Sequence, residues 1–232
     1  MNPSVANPVS HWQRSLPWMA AISAALTITS ATGALPAWLA FVFKPLTTLL
    51  VIAHAWPRGA GSPKQRQRVR IGLLLSLLGD VFLLWPREGF LPGLVSFLLA
   101  HLAYIAAFCV PLRFGARPMV FAVYGAVAAL ILTQLWPGIP PALRVPVLAY
   151  VVCLACMAAQ AAAWWRASAG TPGETLARSA ALGGVLFMAS DSFLAFNKFA
   201  APLPLSALWI LATYWLAQWC IANSLSAAPR PD

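Results

Sequence analysis

Acidic side chains are almost absent from this chain of 232 residues: five Asp and Glu stand against fifteen Lys and Arg, and charged residues of both signs make up only 9%. A soluble domain carries roughly 25% charged residues, so a water-facing surface cannot be covered and a soluble globular fold is excluded. Histidine is scarce too, three in all, with no pair at ligand spacing, and neither a metal site nor another cofactor is expected. Gly-rich phosphate loops and a Gly-x-Ser-x-Gly elbow are missing, which argues against a nucleotide enzyme and a serine hydrolase. The four cysteines, Cys109, Cys153, Cys156 and Cys220, all lie in apolar runs. Cys153-x-x-Cys156 has no basic neighbour or βαβ setting to activate a thiolate, so these are expected to be small core residues.

What the chain has in abundance is apolar surface, 61% hydrophobic residues with a mean hydropathy of +0.77. Long helical runs exclude a β-barrel, whose strands would show short alternation. The expected fold is an all-α, polytopic transmembrane helix bundle. At ~20 residues per span the length accommodates about eight, at 17–33, 36–56, 70–86, 90–112, 117–136, 142–165, 177–196 and 202–226. Residues 1–16 are expected to be a disordered N-terminal tail, 17–226 one transmembrane domain and 227–232 a C-terminal tail. Arg14 followed by an apolar run has the look of a signal peptide. The second span follows almost at once, however, so the first is expected to be retained.

The net charge of +10 reflects basic loops rather than a nucleic-acid surface. Eleven Lys and Arg collect in the loops and tails on one side and three, Arg87, Arg144 and Lys198, on the other, while Lys44 falls inside a span. By the positive-inside rule both termini are cytoplasmic. The basic run 58–70 would contact anionic lipid headgroups there. Trp38, Trp85 and Trp136 then mark the outer interface and Trp18, Trp56, Trp164 and Trp165 the inner one.

Against this background single polar residues stand out. Asp80 is the one charge in Ile71–Pro86, and Asp191 sits in a similar late stretch; the phrase Asp-Val-Phe-Leu at 80–83 returns as Asp-Ser-Phe-Leu at 191–194. The recurrence suggests two parallel four-span halves. A charge at such depth costs ~2.5–3.5 kcal/mol on insertion scales, so a functional site is the default reading. Counting 1.5 Å per residue from the outer span ends puts Asp80, Asp191 and Lys44 about 9, 8 and 12 Å deep, in one layer, with His101 about 16 Å deep just below.

Each candidate also has a structural reading. Asp80 and Asp191 could be hydrogen-bond staples between helices, with Lys44 as counter-ion. One Lys neutralises one carboxylate, however, so the other acid is expected to hold its proton, the state a general acid requires. Lys44, with Thr47 and Thr48 on its face, could grip a phosphate or keep one carboxylate ionised. Pro45 frees a backbone carbonyl beside it. His101 and Tyr104 share a face, as do Tyr214 and Gln218; each pair could contact substrate or merely pack. His54, near the inner end of its span, is expected to be interfacial.

The ordered set Lys44-Pro45, Gly79-Asp80, Phe90-x-x-Gly93 leading to His101-x-x-Tyr104, Ser190-Asp191 and Tyr214-x-x-Ala217-Gln218 resembles the lysoplasmalogenase, or YhhN-like, family of eight-span membrane enzymes. The resemblance implies hydrolysis of the vinyl-ether bond of lysoplasmalogens to a fatty aldehyde and glycerophosphoethanolamine or glycerophosphocholine. It also implies catalytic roles for Asp80 and Asp191. Lys44, His101, Tyr104, Ser190, Tyr214 and Gln218 would then bind substrate or support the acids, with His101, Tyr104 and Tyr214 lining the cavity.

A transporter using the same buried Asp, Lys and His residues is the main alternative, since such residues also build proton relays. An intramembrane aspartyl protease is disfavoured because Leu77 stands where a Gly-x-Gly-Asp motif ending at Asp80 needs glycine. The expected partners are a lysophospholipid and membrane lipids, and the expected location is a bacterial inner membrane.

Overall fold

A computed structural model describes residues 8–227. They form eight α-helices, α1 (Pro8–Ala31), α2 (Trp38–Ala55), α3 (Pro63–Phe82), α4 (Phe90–Phe108), α5 (Pro118–Leu135), α6 (Pro141–Ala167), α7 (Glu174–Phe199) and α8 (Ser206–Asn223), with a short 3-10 turn at Trp136–Gly138. No strand occurs among the described residues. Proline at the first turn of α3, α5 and α6 sets their starts, where a missing N–H costs nothing.

α2, α4, α5 with its 3-10 extension, α6 and α7 are long and apolar enough to cross a membrane. The protein is an integral membrane protein. The remaining three helices are diluted by polar residues: α3 begins inside the basic segment, and α8 carries Thr213, Tyr214, Gln218 and Asn223.

α1 starts at Pro8, so residues 8–16 of the expected tail are helical. Leu16 is wholly buried with Ala20 against Leu50 of α2. Residues 1–7 and 228–232 lie outside the described residues.

Six helices close a ring in the order α2, α3, α4, α6, α7, α8 and back to α2, while α1 leans on α2 and α8 from outside and α5 on α6 and α7. Around the ring α2–α4 make one side and α6–α8 the other. Close approach is bought by small residues, as in membrane bundles generally. A Cβ on Gly72 would lie 2.2 Å from the Tyr104 ring, and one on Gly79 would lie 2.6 Å from that of Phe97, so α3 and α4 meet through glycine.

Polar staples complete the ring. Gln160 of α6, fully buried, donates to the carbonyls of Phe108 and Leu112 at the end of α4. Ser179 of α7 donates to Cys220 O and Ser190 to Ile210 O, both on α8. Each bond gives a buried side chain its partner where water is scarce.

The two ends of the bundle differ. At one end the 55–62 loop meets the end of the chain, Gly59 N–H donating to Ser226 O, and most of the basic residues gather there. At the other end the turns between α1 and α2, α3 and α4, α5 and α6, and α7 and α8 come together, with Phe41 against Trp85 and Gly138 under the carbonyl of Phe199.

Candidate active site

Asp80 ends up on the inner face of the ring because α3 turns its glycine side to α4 and the next residue toward α2 and α8. The carboxylate is 2% exposed yet well supplied with donors. Oδ2 accepts the hydroxyls of Thr48 (2.6 Å) and Tyr214 (2.7 Å). Lys44 Nζ stands 3.7 Å from Oδ1 and donates to the Asp80 backbone carbonyl at 3.2 Å. That carbonyl belongs to the last turn of α3, where acceptors are left over and a cation opposes the helix dipole. Trp215 Nε1 donates to Thr48 Oγ1 at 3.1 Å, which turns the threonine hydroxyl toward the acid.

Asp191, one residue past the staple Ser190 on α7, has a sparser setting. Its Oδ2 accepts the hydroxyl of Tyr150 from α6, and no cation pairs with it among the described residues. It is half-buried rather than sealed.

Both acids, with Lys44, Tyr150 and Tyr214, line one cavity of about 420 Å³. The rest of its wall is mostly apolar, from Leu83 and Phe90 through Ile131, Val151 and Met188 to Leu211. A second, shallower groove between α5 and α7 shares Ile131, Met188 and Ser192 with it and runs along the outside of the bundle.

An aromatic floor closes the cavity toward the basic end. The Phe97 and Phe187 rings stand edge-on to Tyr214 at 5.7 and 5.5 Å. His101 lies beneath, its ring 4.6 Å from that of Phe187 and 5.2 Å from that of Tyr150. Lower still, Tyr104 donates to Gln218 Oε1 at 2.7 Å and approaches Ser76 Oγ at 3.4 Å.

The residues picked out in the sequence therefore divide. Asp80, Asp191, Lys44, Tyr214 and Ser190 reach the cavity wall, although the Ser190 hydroxyl is spent on Ile210. His101 and Tyr104 do not line it, contrary to expectation. Both are fully buried, His101 beneath the Phe187 ring and Tyr104 beside Gly72, and with Gln218 they brace the floor. Thr47 turns outward to Ser23 of α1 at 2.8 Å. His54, at the far end, stacks on Trp219 and meets Asn223.

Tyr150 was not among the expected site residues. It is one of only four tyrosines and lies eight residues into its span, about 12 Å deep at 1.5 Å per residue, the layer of Lys44. That depth was the available signal.

Comparison with known proteins identifies the family. The YhhN family profile matches residues 39–225. Pig lysoplasmalogenase TMEM86B is 35% identical over 198 residues, covering 84% of this chain and 79% of its own. Human lysoplasmalogenase TMEM86A is 31% identical over 204 residues, covering 84% and 82%. The uncharacterized membrane protein YhhN of Escherichia coli O157:H7 is 37% identical over 110 residues, covering 44% and 52%. No solved structure matches. Five apolar helices, the ordered motifs around Asp80 and Asp191 and a profile match over most of the chain converge: this protein belongs to the YhhN family.

Proposed function

We propose that this protein is a lysoplasmalogenase: an eight-span hydrolase that cleaves the vinyl-ether bond of 1-alkenyl glycerophosphoethanolamine or glycerophosphocholine, with Asp80 and Asp191 as its acid–base pair. The observation that carries the reading is that two acids from α3 and α7 share one apolar-walled cavity. Relatives that bear the name lysoplasmalogenase over 84% of the chain support the substrate class. The transporter reading has no comparable support.

A vinyl ether yields to acid at its β-carbon. An acid donates a proton there, the ether oxygen releases electron density into the neighbouring carbon, and an oxocarbenium ion forms. Water adds to that carbon and gives a proton to the second carboxylate. The resulting hemiacetal collapses as the second acid returns its proton to the glycerol oxygen and the first recovers one from the hemiacetal hydroxyl. The C–O bond breaks, and fatty aldehyde and glycerophospho-alcohol leave with both acids restored. Two carboxyl groups with unlike surroundings perform the same division in glycosidases.

The surroundings assign the parts. Asp80, with Lys44 and two hydroxyl donors around it, suits the ionised carboxylate that stabilises the cation and takes the water proton. Asp191 has one hydroxyl partner and no cation, which suits it to deliver the first proton. The alkenyl chain lies along the apolar wall and leaves through the groove between α5 and α7. In this reading the basic end of the bundle faces the cytoplasm, the cavity opens toward the outer surface, and the membrane is a bacterial inner one.

The test is aldehyde release. Purified protein in detergent should convert a lysoplasmalogen to fatty aldehyde and glycerophospho-alcohol, detected by mass spectrometry, and leave the acyl lysophospholipid intact. Intact lipid in both reactions, with solute moved unaltered across vesicles holding the protein, would replace the hydrolase with a transporter.

A further inference from the structure

The acids account for one end of the cavity; at its other end is a cation that the chemistry above does not use. Lys198 and Asn197 both line it, in the last turn of α7. Lys44, the other cation on the wall, is already engaged by the Asp80 carboxylate and carbonyl. Lys198 pairs with no carboxylate among the described residues. Its ammonium is held over the Phe90 ring, 4.0 Å from the centroid, with Phe199 at 6.0 Å. Such a contact keeps a charge at an apolar mouth while leaving N–H donors free. Asn197 accepts the Leu203 backbone N–H on Oδ1 at 2.9 Å, which leaves its amide N–H groups for a ligand.

We propose that Lys198 and Asn197 form the recognition site for the phosphodiester of the lysophospholipid substrate, a reading that rests on the lysoplasmalogenase assignment above. An ammonium and amide donors on the wall of one cavity match the two non-bridging oxygens of a phosphodiester. The spacing fits as well. Lys198 follows Asp191 by seven residues, two turns on the same face of α7 and about 10.5 Å along the axis. In the substrate seven bonds separate the β-carbon that Asp191 protonates from phosphorus. They span roughly 9 Å at the ~3.8 Å per three bonds of an extended chain, and the lysine side chain covers the remainder. Anchored there, the vinyl ether is held at the depth of Asp191.

Binding of lipids that cannot be cleaved tests the site without turnover. The probes are 1-O-hexadecyl-glycerophosphoethanolamine, a saturated ether, and 1-O-hexadecylglycerol, which lacks the phosphate, titrated against purified protein in detergent by tryptophan fluorescence. The wild type should prefer the phospholipid by about tenfold or more. Lys198→Gln should remove most of that preference with little change for hexadecylglycerol, and Lys198→Arg should retain it. Equal binding of both probes by the wild type, or an unchanged preference in Lys198→Gln, would overturn the proposal. Displacement of the phospholipid by inorganic phosphate at similar concentration would also overturn it, reassigning the position to free phosphate. Absence of aldehyde release from a true vinyl ether would instead strike the hydrolase reading, and the binding result would tell the two failures apart.

Discussion

Lys44 holds Asp80 twice, its ammonium 3.7 Å from the carboxylate and 3.2 Å from the backbone carbonyl of the same residue. The pair is buried, so removing the cation strands a carboxylate among apolar helices, a change that costs about 3–5 kcal/mol in comparable sites. Lys44→Met should therefore lower the unfolding temperature in detergent markedly. Adding Asp80→Asn to that variant should restore most of the loss, because a neutral amide needs no counter-ion. A single Lys44→Met variant as stable as the wild type would mean that the pair is not held as ions.

Asp80→Asn and Asp191→Asn should each abolish aldehyde release. Asp191→Asn should elute and unfold like the wild type, since the amide keeps the size and most hydrogen bonds of the acid, whereas Asp80→Asn should stay folded with a lower unfolding temperature because Lys44 loses its counter-ion. Product analysis by mass spectrometry, with circular dichroism on the same samples, decides it. Turnover at the wild-type rate by either variant would remove that residue from the reaction.

Tyr150→Phe takes away the one hydroxyl that meets Asp191. A hydrogen bond to a charged or charge-developing group is worth about 1.5–3 kcal/mol, or a fall in kcat of ~10–100-fold. KM should change little, because the hydroxyl is engaged by Asp191 and the ring that lines the cavity is kept. Tyr214→Phe should act similarly but less severely, as Asp80 retains Thr48 and Lys44. Steady-state kinetics on both variants checks the order.

Gly72 has no room for a side chain, with the Tyr104 ring 2.2 Å from where a Cβ would sit, whereas Gly125 on α5 has nothing within 4 Å. Gly72→Val should prevent the protein from folding, seen as loss of the monodisperse peak on gel filtration. Gly125→Ala should be neutral or stabilise by about 0.5–1 kcal/mol, the ordinary helical gain over glycine.

Which of these residues the sequence revealed depends on how each differs from lipid. Asp80, Asp191 and Lys44 are conspicuous because a charge inside an apolar run stands out whether it staples helices or does chemistry, and counting residues from the span ends was enough to put them in one layer. Tyr150 was passed over because a tyrosine in such a run looks like any packing aromatic, and only its hydroxyl partner on α7 distinguishes it. His101 was misjudged for the opposite reason: its polarity suggested the cavity, while its position within the ring placed it beneath the Phe187 ring. The order of helices around the ring is not legible at all. In water an amphipathic stripe tells which face a helix buries, but here both faces are apolar, and small residues such as Gly72 and Gly79 take over that role.

The seam between α5 and α7 bears on what happens after the bond is broken. Because Ile131, Met188 and Ser192 belong both to the acid-bearing chamber and to the lateral furrow, an oily aldehyde can slip sideways into the bilayer while the water-soluble alcohol departs past Lys198. The two products would then separate by solubility, each into the phase that dissolves it, with no need for one to wait on the other.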